Sequence, residues 1–237
     1  MGVTEEEGFM NTYRTTARVV GVLFIIATAA AIIGGTLLLV VEEPLAEVAA
    51  AEGQVVFGAL LEMVLAISVV GIAVLMFPVL KKQSEGMALG YVGMRIFEGV
   101  LILVATISAL VVLTLSQDYG QAPSVEPLVD LLLAFREWAY LLGTMFMFSL
   151  TALILYILLY QSKLVPTWLS VWGFIGGALL LVRALLEMFG QELSGAVQVV
   201  LAAPIGLNEM VLAVWLIVRG FNTKALESRP EKEPVPG

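Results

Sequence analysis

The chain has no cysteine and no histidine among its 237 residues. The first absence removes disulfides, thiolate nucleophiles and thiolate metal sites; the second removes imidazole bases and His-held haem. Charge is scarce too, at 14% of residues, against about 25% in a soluble domain. The 12 basic residues form no cluster and the net charge is −8, so the sequence offers nucleic acid no binding face. HExxH, HxxxH, GxSxG and paired-Asp signatures are all missing, which would confine any catalysis to acid–base chemistry by Glu and Arg. No catalytic residue, cofactor or metal ligand is therefore assigned from the sequence.

What is present is apolar. Hydrophobic residues make up 60% of the chain and the mean hydropathy is +0.99, the composition of an integral membrane protein. A spanning helix needs about 20 mostly apolar residues. Six such windows run approximately from Arg18 to Val41, Val55 to Leu80, Met87 to Leu115, Trp138 to Tyr160, Trp168 to Phe189 and Ala196 to Val218. The fourth has an amphipathic extension reaching back toward Pro127 through Leu128, Leu131, Leu132 and Phe135. The expected fold is an all-α polytopic bundle of six transmembrane helices. Residues 1–13 form a polar N-terminal segment, 14–222 the transmembrane domain, and 223–237 a Pro-rich charged tail expected to be disordered.

The first apolar window is too long for the core of a cleavable signal, and Glu6 stands where a myristoylation signal wants Ser or Thr. Lys and Arg set the expected orientation. Nine of the 12 flank alternate ends of the windows on one side: Arg14, Arg18, Lys81, Lys82, Lys163, Arg219, Lys224, Arg229 and Lys232. The opposite connections are acidic, with Glu42, Glu43, Glu47, Glu52, Asp118, Glu126 and Glu192. Both termini are thus expected in the cytoplasm, with the chain multi-pass in the plasma membrane and lipid as its first partner. KKQSEG and QSKLVPT close tight hairpins between windows 2 and 3 and windows 4 and 5. Gly86 with Gly90, and Gly173 with Gly177, have the small-xxx-small spacing of close helix contacts. Such spacing is expected to serve packing within the chain, and a homo-oligomer is not indicated.

The stretches GALLE (58–62), VGIAVLMFPVLKKQSEGMALGYVGMRIFEGV (70–100), LYQSKLVPTWLSVWGFIG (159–176) and LNEMVLAVWLIVRGF (207–221) carry a resemblance. Together they resemble domain-of-unknown-function family 4386, prokaryotic multi-pass membrane proteins of similar length and predicted helices. The resemblance implies one complete membrane domain. It implies no activity and no functional residues.

The intramembrane charges are read from physics instead. Glu62, Glu98, Glu137, Glu187 and Glu209 fall in windows 2 to 6 or their extensions, joined by Arg95, Arg136 and Arg183. Ionised groups facing lipid cost at least about 2.5–3.5 kcal/mol each, so these should face inward and pair. Arg136, Glu137 and Glu187 lie near the outer boundary and are expected to have interfacial or electrostatic roles. Deeper lie Glu62, Glu98 and Glu209 against Arg95 and Arg183, with Asn208 beside Glu209. Arg95 and Glu98 are spaced i, i+3 and Arg183 and Glu187 i, i+4, so local pairing is open to both. With both deep arginines paired, one carboxylate is left over, and it must carry a proton or hold a cation. Pro204 removes the helix bond to the Val200 carbonyl one turn before Asn208, where a kink could open a pocket.

The candidate polar site is therefore Glu62, Arg95, Glu98, Arg183, Glu187, Asn208 and Glu209. It reads in two ways: a network that fixes helix packing, or the lining of a site for a proton, a cation or a small polar ligand. The first suits a non-enzymatic scaffold, lipid-binding or regulatory subunit, the second a small proton- or cation-coupled carrier. An enzyme working by Glu and Arg acid–base chemistry is a third class, with fewer residues to support it.

Overall fold

The computed structural model describes residues 2–120, 122, 124–222 and 225. Of the tail expected to be disordered, all but Ala225 lies outside the described residues. Among these, eight α-helices follow one another: α1 (Gly2–Leu37), α2 (Leu45–Ala50), α3 (Glu52–Leu80), α4 (Glu85–Asp118), α5 (Glu126–Tyr140), α6 (Phe148–Ser162), α7 (Thr167–Met188) and α8 (Gly195–Val218). A 3₁₀ turn at Leu38–Glu42 prolongs α1, and a π-helical stretch at Leu141–Met147 joins α5 to α6 without a break. Among the described residues six helical segments are long and apolar enough to cross a membrane: Asn11–Glu42, Glu52–Leu80, Glu85–Asp118, Glu126–Ser162, Thr167–Met188 and Gly195–Val218. The fourth thus starts at Glu126, twelve residues before the Trp138 expected from hydropathy, because the amphipathic extension continues the helix inward.

Local chemistry sets the breaks. Glu43 is extended ahead of Pro44, where proline excludes the helical conformation for its predecessor. Ser84 caps α4, its hydroxyl accepting from the Met87 amide at 3.4 Å. The α7–α8 turn passes through Gly190 at φ 73°, a left-handed conformation that costs glycine little. The α6–α7 turn is pinned by the residue four positions beyond α8. Asn222 donates its backbone N–H to the Leu164 carbonyl at 2.9 Å and its side-chain amide to the Lys163 carbonyl at 3.2 Å.

The bundle is closed by α1 against α8. Gly21 lies against the backbone of Ala213 and the side chain of Ile217, which sets the start of the first span beside the end of the last. The beginning of α1, the α3–α4 turn, the α6–α7 turn and the end of α8 therefore share one end of the molecule, called here the terminal end. The Lys82 ammonium sits 5.1 Å over the Tyr13 ring there, and Gln83 donates to Gln161 at 3.1 Å. A large apolar core including Phe24, Met76, Leu155, Leu169, Leu212 and Leu216 fills the terminal half. Smaller ones form around Ala30, Leu65, Val69 and Ile102 in the middle and around Leu38, Val55 and Val112 at the opposite end. Ile32, Ile67, Ile107, Val200 and many other large apolar side chains point outward, an arrangement stable only against lipid.

Because lipid is as apolar as a leucine core, helices in it associate through close van der Waals contact rather than the hydrophobic effect. Gly176 shows this. A Cβ there would lie 2.8 Å from the Ile205 backbone nitrogen and 2.9 Å from its Cα. Gly173 faces the Tyr156 ring in the same tight way, and Gly177 lies against Ala152. Gly86 and Gly90 differ from expectation: among the described residues nothing lies within 4 Å of a Cβ at either. Gly176→Ala should push α7 from α8 and cost about 1–3 kcal/mol, whereas Gly90→Ala should stay within about 0.5 kcal/mol of the parent. Thermal unfolding in detergent compares the two, and equal effects would contradict this packing.

Candidate functional site

The intramembrane charges separate into three groups along the bundle. The deepest is built on α4. Arg95 and Glu98, one turn apart, pair locally: Arg95 Nη1 donates to Glu98 Oε1 at 3.0 Å and to Oε2 at 3.1 Å. The guanidinium carbon lies 5.6 Å from the centroid of the Tyr91 ring and 5.1 Å from that of Phe148. Two aromatic faces thus replace part of the water the cation has lost. From α6 the Thr151 hydroxyl reaches Glu98 Oε2 at 3.4 Å, while also lying 2.8 Å from the Phe148 carbonyl. From α8, Glu209 Oε1 stands 3.9 Å from Arg95 Nη2, within ion-pair range but beyond a hydrogen bond.

Asn208 does not join this pair directly. Its amide nitrogen donates to the Leu169 carbonyl at 3.0 Å, tying α8 to α7, and α8 runs through Pro204 as one helix from Gly195 to Val218.

The second group lies toward the opposite end. Glu62 of α3, 3% exposed, accepts from Arg136 of α5, Nη2 to Oε1 at 3.1 Å. Arg136 Nη1 donates to the Ala105 carbonyl at 2.9 Å, and Thr106 Oγ1 lies 2.7 Å from Glu62 Oε2. This corrects the boundary role expected for Arg136: the helix that carries it begins ten residues earlier, and its guanidinium points into the bundle. A cavity of about 10 Å³ beside this pair is lined by Glu62, Ile102, Tyr140 and Thr144 among others. That is about the room one water needs.

The third group stands apart from both. Arg183 Nε donates to Glu187 at 2.8 Å, and Nη2 reaches Gln198 Oε1 at 3.2 Å. Gln198 passes the link on to the Leu193 carbonyl at 3.1 Å, so this group staples the α7–α8 turn.

Of the seven candidate residues, the structure thus brings together Arg95, Glu98 and Glu209, with Asn208 adjacent in sequence. Glu62 belongs to a separate pair, and Arg183 with Glu187 to a third. Arg136, Thr106, Thr151, Tyr91 and Tyr156 were not selected from the sequence. Tyr91 and Thr106 carried a readable signal, since Tyr91, Arg95, Glu98, Ile102 and Thr106 recur at three- and four-residue spacing on one face of α4. Thr151 and Tyr156 carried none.

The balance of charge survives the change of partners. Four inward carboxylates, Glu62, Glu98, Glu187 and Glu209, meet three guanidiniums, Arg95, Arg136 and Arg183. Each guanidinium has a carboxylate at 3.1 Å or closer, and Glu209 has only the longer contact to an arginine already held by Glu98. Among the described residues no three Asp or Glu side chains converge as metal ligands would.

The six-span bundle with ion pairs sealed inside it defines a polytopic helical membrane protein. The chain belongs to the family described as Domain of unknown function (DUF4386), whose model matches residues 19–220. It matches no curated protein and no solved structure.

Proposed function

We propose that the chain is a non-enzymatic membrane protein that binds and releases a proton at Glu209, as a small proton-coupled carrier does. The observation that carries this reading is the surplus carboxylate: Glu209 stands 3.9 Å from an Arg95 whose charge Glu98 already meets at 3.0 Å. A second full negative charge at that depth has no counter-ion, so Glu209 is the group that takes up a proton. The charged groups facing it are Arg95, at 3.9 Å, and Glu98, which shares that guanidinium, both from α4. The pairs Glu62–Arg136 and Arg183–Glu187 are internally balanced and hold helices together rather than binding anything.

Infrared difference spectroscopy across a pH step tests this. A protonated-carboxyl band should vanish as pH rises and be missing in Glu209→Gln. A band that survives Glu209→Gln would remove the carrier reading and leave a charge-paired scaffold.

In this reading the terminal end faces the cytoplasm of a cell whose plasma membrane the protein spans, with lipid around it. Support comes from the basic residues Arg14, Lys81, Lys82, Lys163 and Arg219, all on segments at that end. Lys224, Arg229 and Lys232, which add to the same expectation, lie outside the described residues. Single cysteines can test it against a background with no native thiol. Gln161→Cys, exposed at the terminal end where neighbouring Ser162 is buried, should resist an impermeant maleimide added outside cells, and Ser124→Cys should react. The reverse pattern would invert the topology.

A further inference from the structure

A guanidinium presents its N–H donors as a rigid fork, and Nε with Nη2 forms one edge of it, spaced to meet both oxygens of a single carboxylate. In Arg95 Glu98 does not use that edge. Both Glu98 oxygens lie on the other arm, at 3.0 and 3.1 Å from Nη1. Among the described residues Nε has no hydrogen-bond partner, although the side chain is only 2% exposed. A donor left unmet in such a place keeps the whole cost of losing water. The carboxylate that Nη2 faces is Glu209 of α8, with Oε1 at 3.9 Å, about 1 Å beyond a hydrogen bond.

The surroundings fix what can move. Arg95 is held by Glu98 and lies between the rings of Tyr91 and Phe148, whose centroids are 5.6 and 5.1 Å from its guanidinium carbon. The α8 backbone is gripped on both sides of Glu209. Before it, a Cβ at Gly176 of α7 would stand 2.8 Å from the Ile205 nitrogen; after it, one at Gly21 of α1 would stand 2.6 Å from the Ala213 carbonyl oxygen. Asn208 is tied to the Leu169 carbonyl at 3.0 Å. What is left to move is the Glu209 side chain, whose own torsions can close the gap while the helix stays in place.

Few other groups are placed to meet it. Glu209 is the one charged residue of α8, and α1 between Arg18 and Glu42, α6, and α7 before Arg183 carry no Asp, Glu, Lys or Arg. The titratable side chains on those segments are the phenols of Tyr156 and Tyr160, with Tyr91 added from α4, and a phenol ordinarily ionises only near about pH 10.

The geometry points to the Nε–Nη2 edge of Arg95 as the landing site of the Glu209 carboxylate once its proton has left. The inference rests on the proton-binding reading of Glu209 and adds to it what holds the ionised state. With the proton bound, Glu209 is neutral and stands back, and Arg95 answers Glu98 alone. On release the Glu209 O–H bond breaks, its electron pair stays on the carboxylate, and the proton passes to water. The carboxylate then swings onto Nε and Nη2 as a two-point pair, and nothing is oxidised or reduced. Each state leaves one thing unmet. In the protonated state it is the Nε donor; in the ionised state it is one negative charge, spread over two carboxylates that share a guanidinium. Because the two costs oppose each other, the proton can both bind and leave.

The test follows two infrared signals through a pH titration of the detergent-purified protein: the Glu209 carboxyl band, and the guanidinium modes assigned with isotope-labelled arginine. In the parent a guanidinium component should shift in step with loss of the carboxyl band, and Glu209→Gln should abolish both changes. Arg95→Lys keeps a positive charge but offers no edge. Its carboxyl band should therefore persist to a pH about one unit higher or more, the counterpart of a lost charge-assisted hydrogen bond. Should Arg95→Lys fail to fold, the spectra of the parent and of Glu209→Gln decide alone. Loss of the carboxyl band without any Glu209-dependent guanidinium change, or a parental midpoint in folded Arg95→Lys, would overturn the landing site while Glu209 still bound its proton. A parent protein with no Glu209 carboxyl band at any pH would instead defeat the proton-binding reading, and the landing site with it.

Discussion

Glu98→Gln should lower the stability of the detergent-purified protein by about 3–5 kcal/mol, the usual loss when one partner of a buried ion pair is removed. Glu209→Gln should leave it near the parent's. The two positions carry the same side chain and face the same arginine, so the difference comes from geometry alone. Glu98 takes two hydrogen bonds from Arg95 Nη1, and both groups are almost wholly buried. An amide at position 98 keeps one acceptor oxygen but turns its NH₂ toward a guanidinium that has lost its counter-ion. Glu209, at 3.9 Å, would have to give up its proton and move closer to compensate, and it recovers only part of the loss. A neutral acid at 209 loses nothing comparable, because Gln matches its shape and its capacity to donate and accept. The double variant strands Arg95 completely, so it should fall below Glu98→Gln by more than the Glu209→Gln change alone. Thermal unfolding of the three proteins decides it: a greater loss from Glu209→Gln than from Glu98→Gln would exchange the charged and neutral assignments.

Some of this arrangement was legible in the sequence, and physics explains which part. A spanning helix must satisfy all its backbone groups internally and match the thickness of the hydrocarbon layer, so length and composition suffice to find it. The excess of one carboxylate was likewise countable, because charge is conserved whichever helices touch. Pairing across helices was not. Spacing reveals neighbours on one helix, which is why Arg95 with Glu98 and Arg183 with Glu187 could be read, but Glu62 with Arg136 joins residues 74 apart.

The misplacement of Arg136 had a specific cause. Hydropathy falls through Asp130, Arg136 and Glu137, so the apolar window starts at Trp138, while the helix itself begins at Glu126 and crosses Leu141–Met147 as a π-helix. A π-helix carries more residues per turn than an α-helix and is seldom retained without a use. Here it sets Gly143 against Leu101 and the backbone of Glu98, and it brings Thr144 to the cavity beside Glu62. No Pro or Gly–Ser pair marks it in the sequence.

Arg136→Met follows from that correction, with an expected loss of about 3–5 kcal/mol as for any buried pair broken on one side. An arginine at a membrane boundary, extended toward water, would contribute little, on the order of 0–1 kcal/mol, as exposed ion pairs do. The structure argues for the larger figure. Arg136 spends its guanidinium on Glu62 at 3.1 Å and on the Ala105 carbonyl at 2.9 Å, joining α3, α4 and α5, and its side chain is only 12% exposed. Methionine keeps most of the stem's volume but leaves the Glu62 carboxylate with Thr106 as its one remaining hydrogen-bond partner. That stranded charge, rather than the lost attraction, is the main cost, so a second substitution should repair it. Arg136→Met combined with Glu62→Leu removes both charges, and replacing a whole buried pair with apolar side chains is often close to neutral. The double variant should therefore unfold nearer the parent than either single one, a coupling well outside the additivity of independent sites. If Arg136→Met alone stays within about 1 kcal/mol of the parent, the guanidinium is solvated in the working protein and the Glu62 pair is not what joins these three helices.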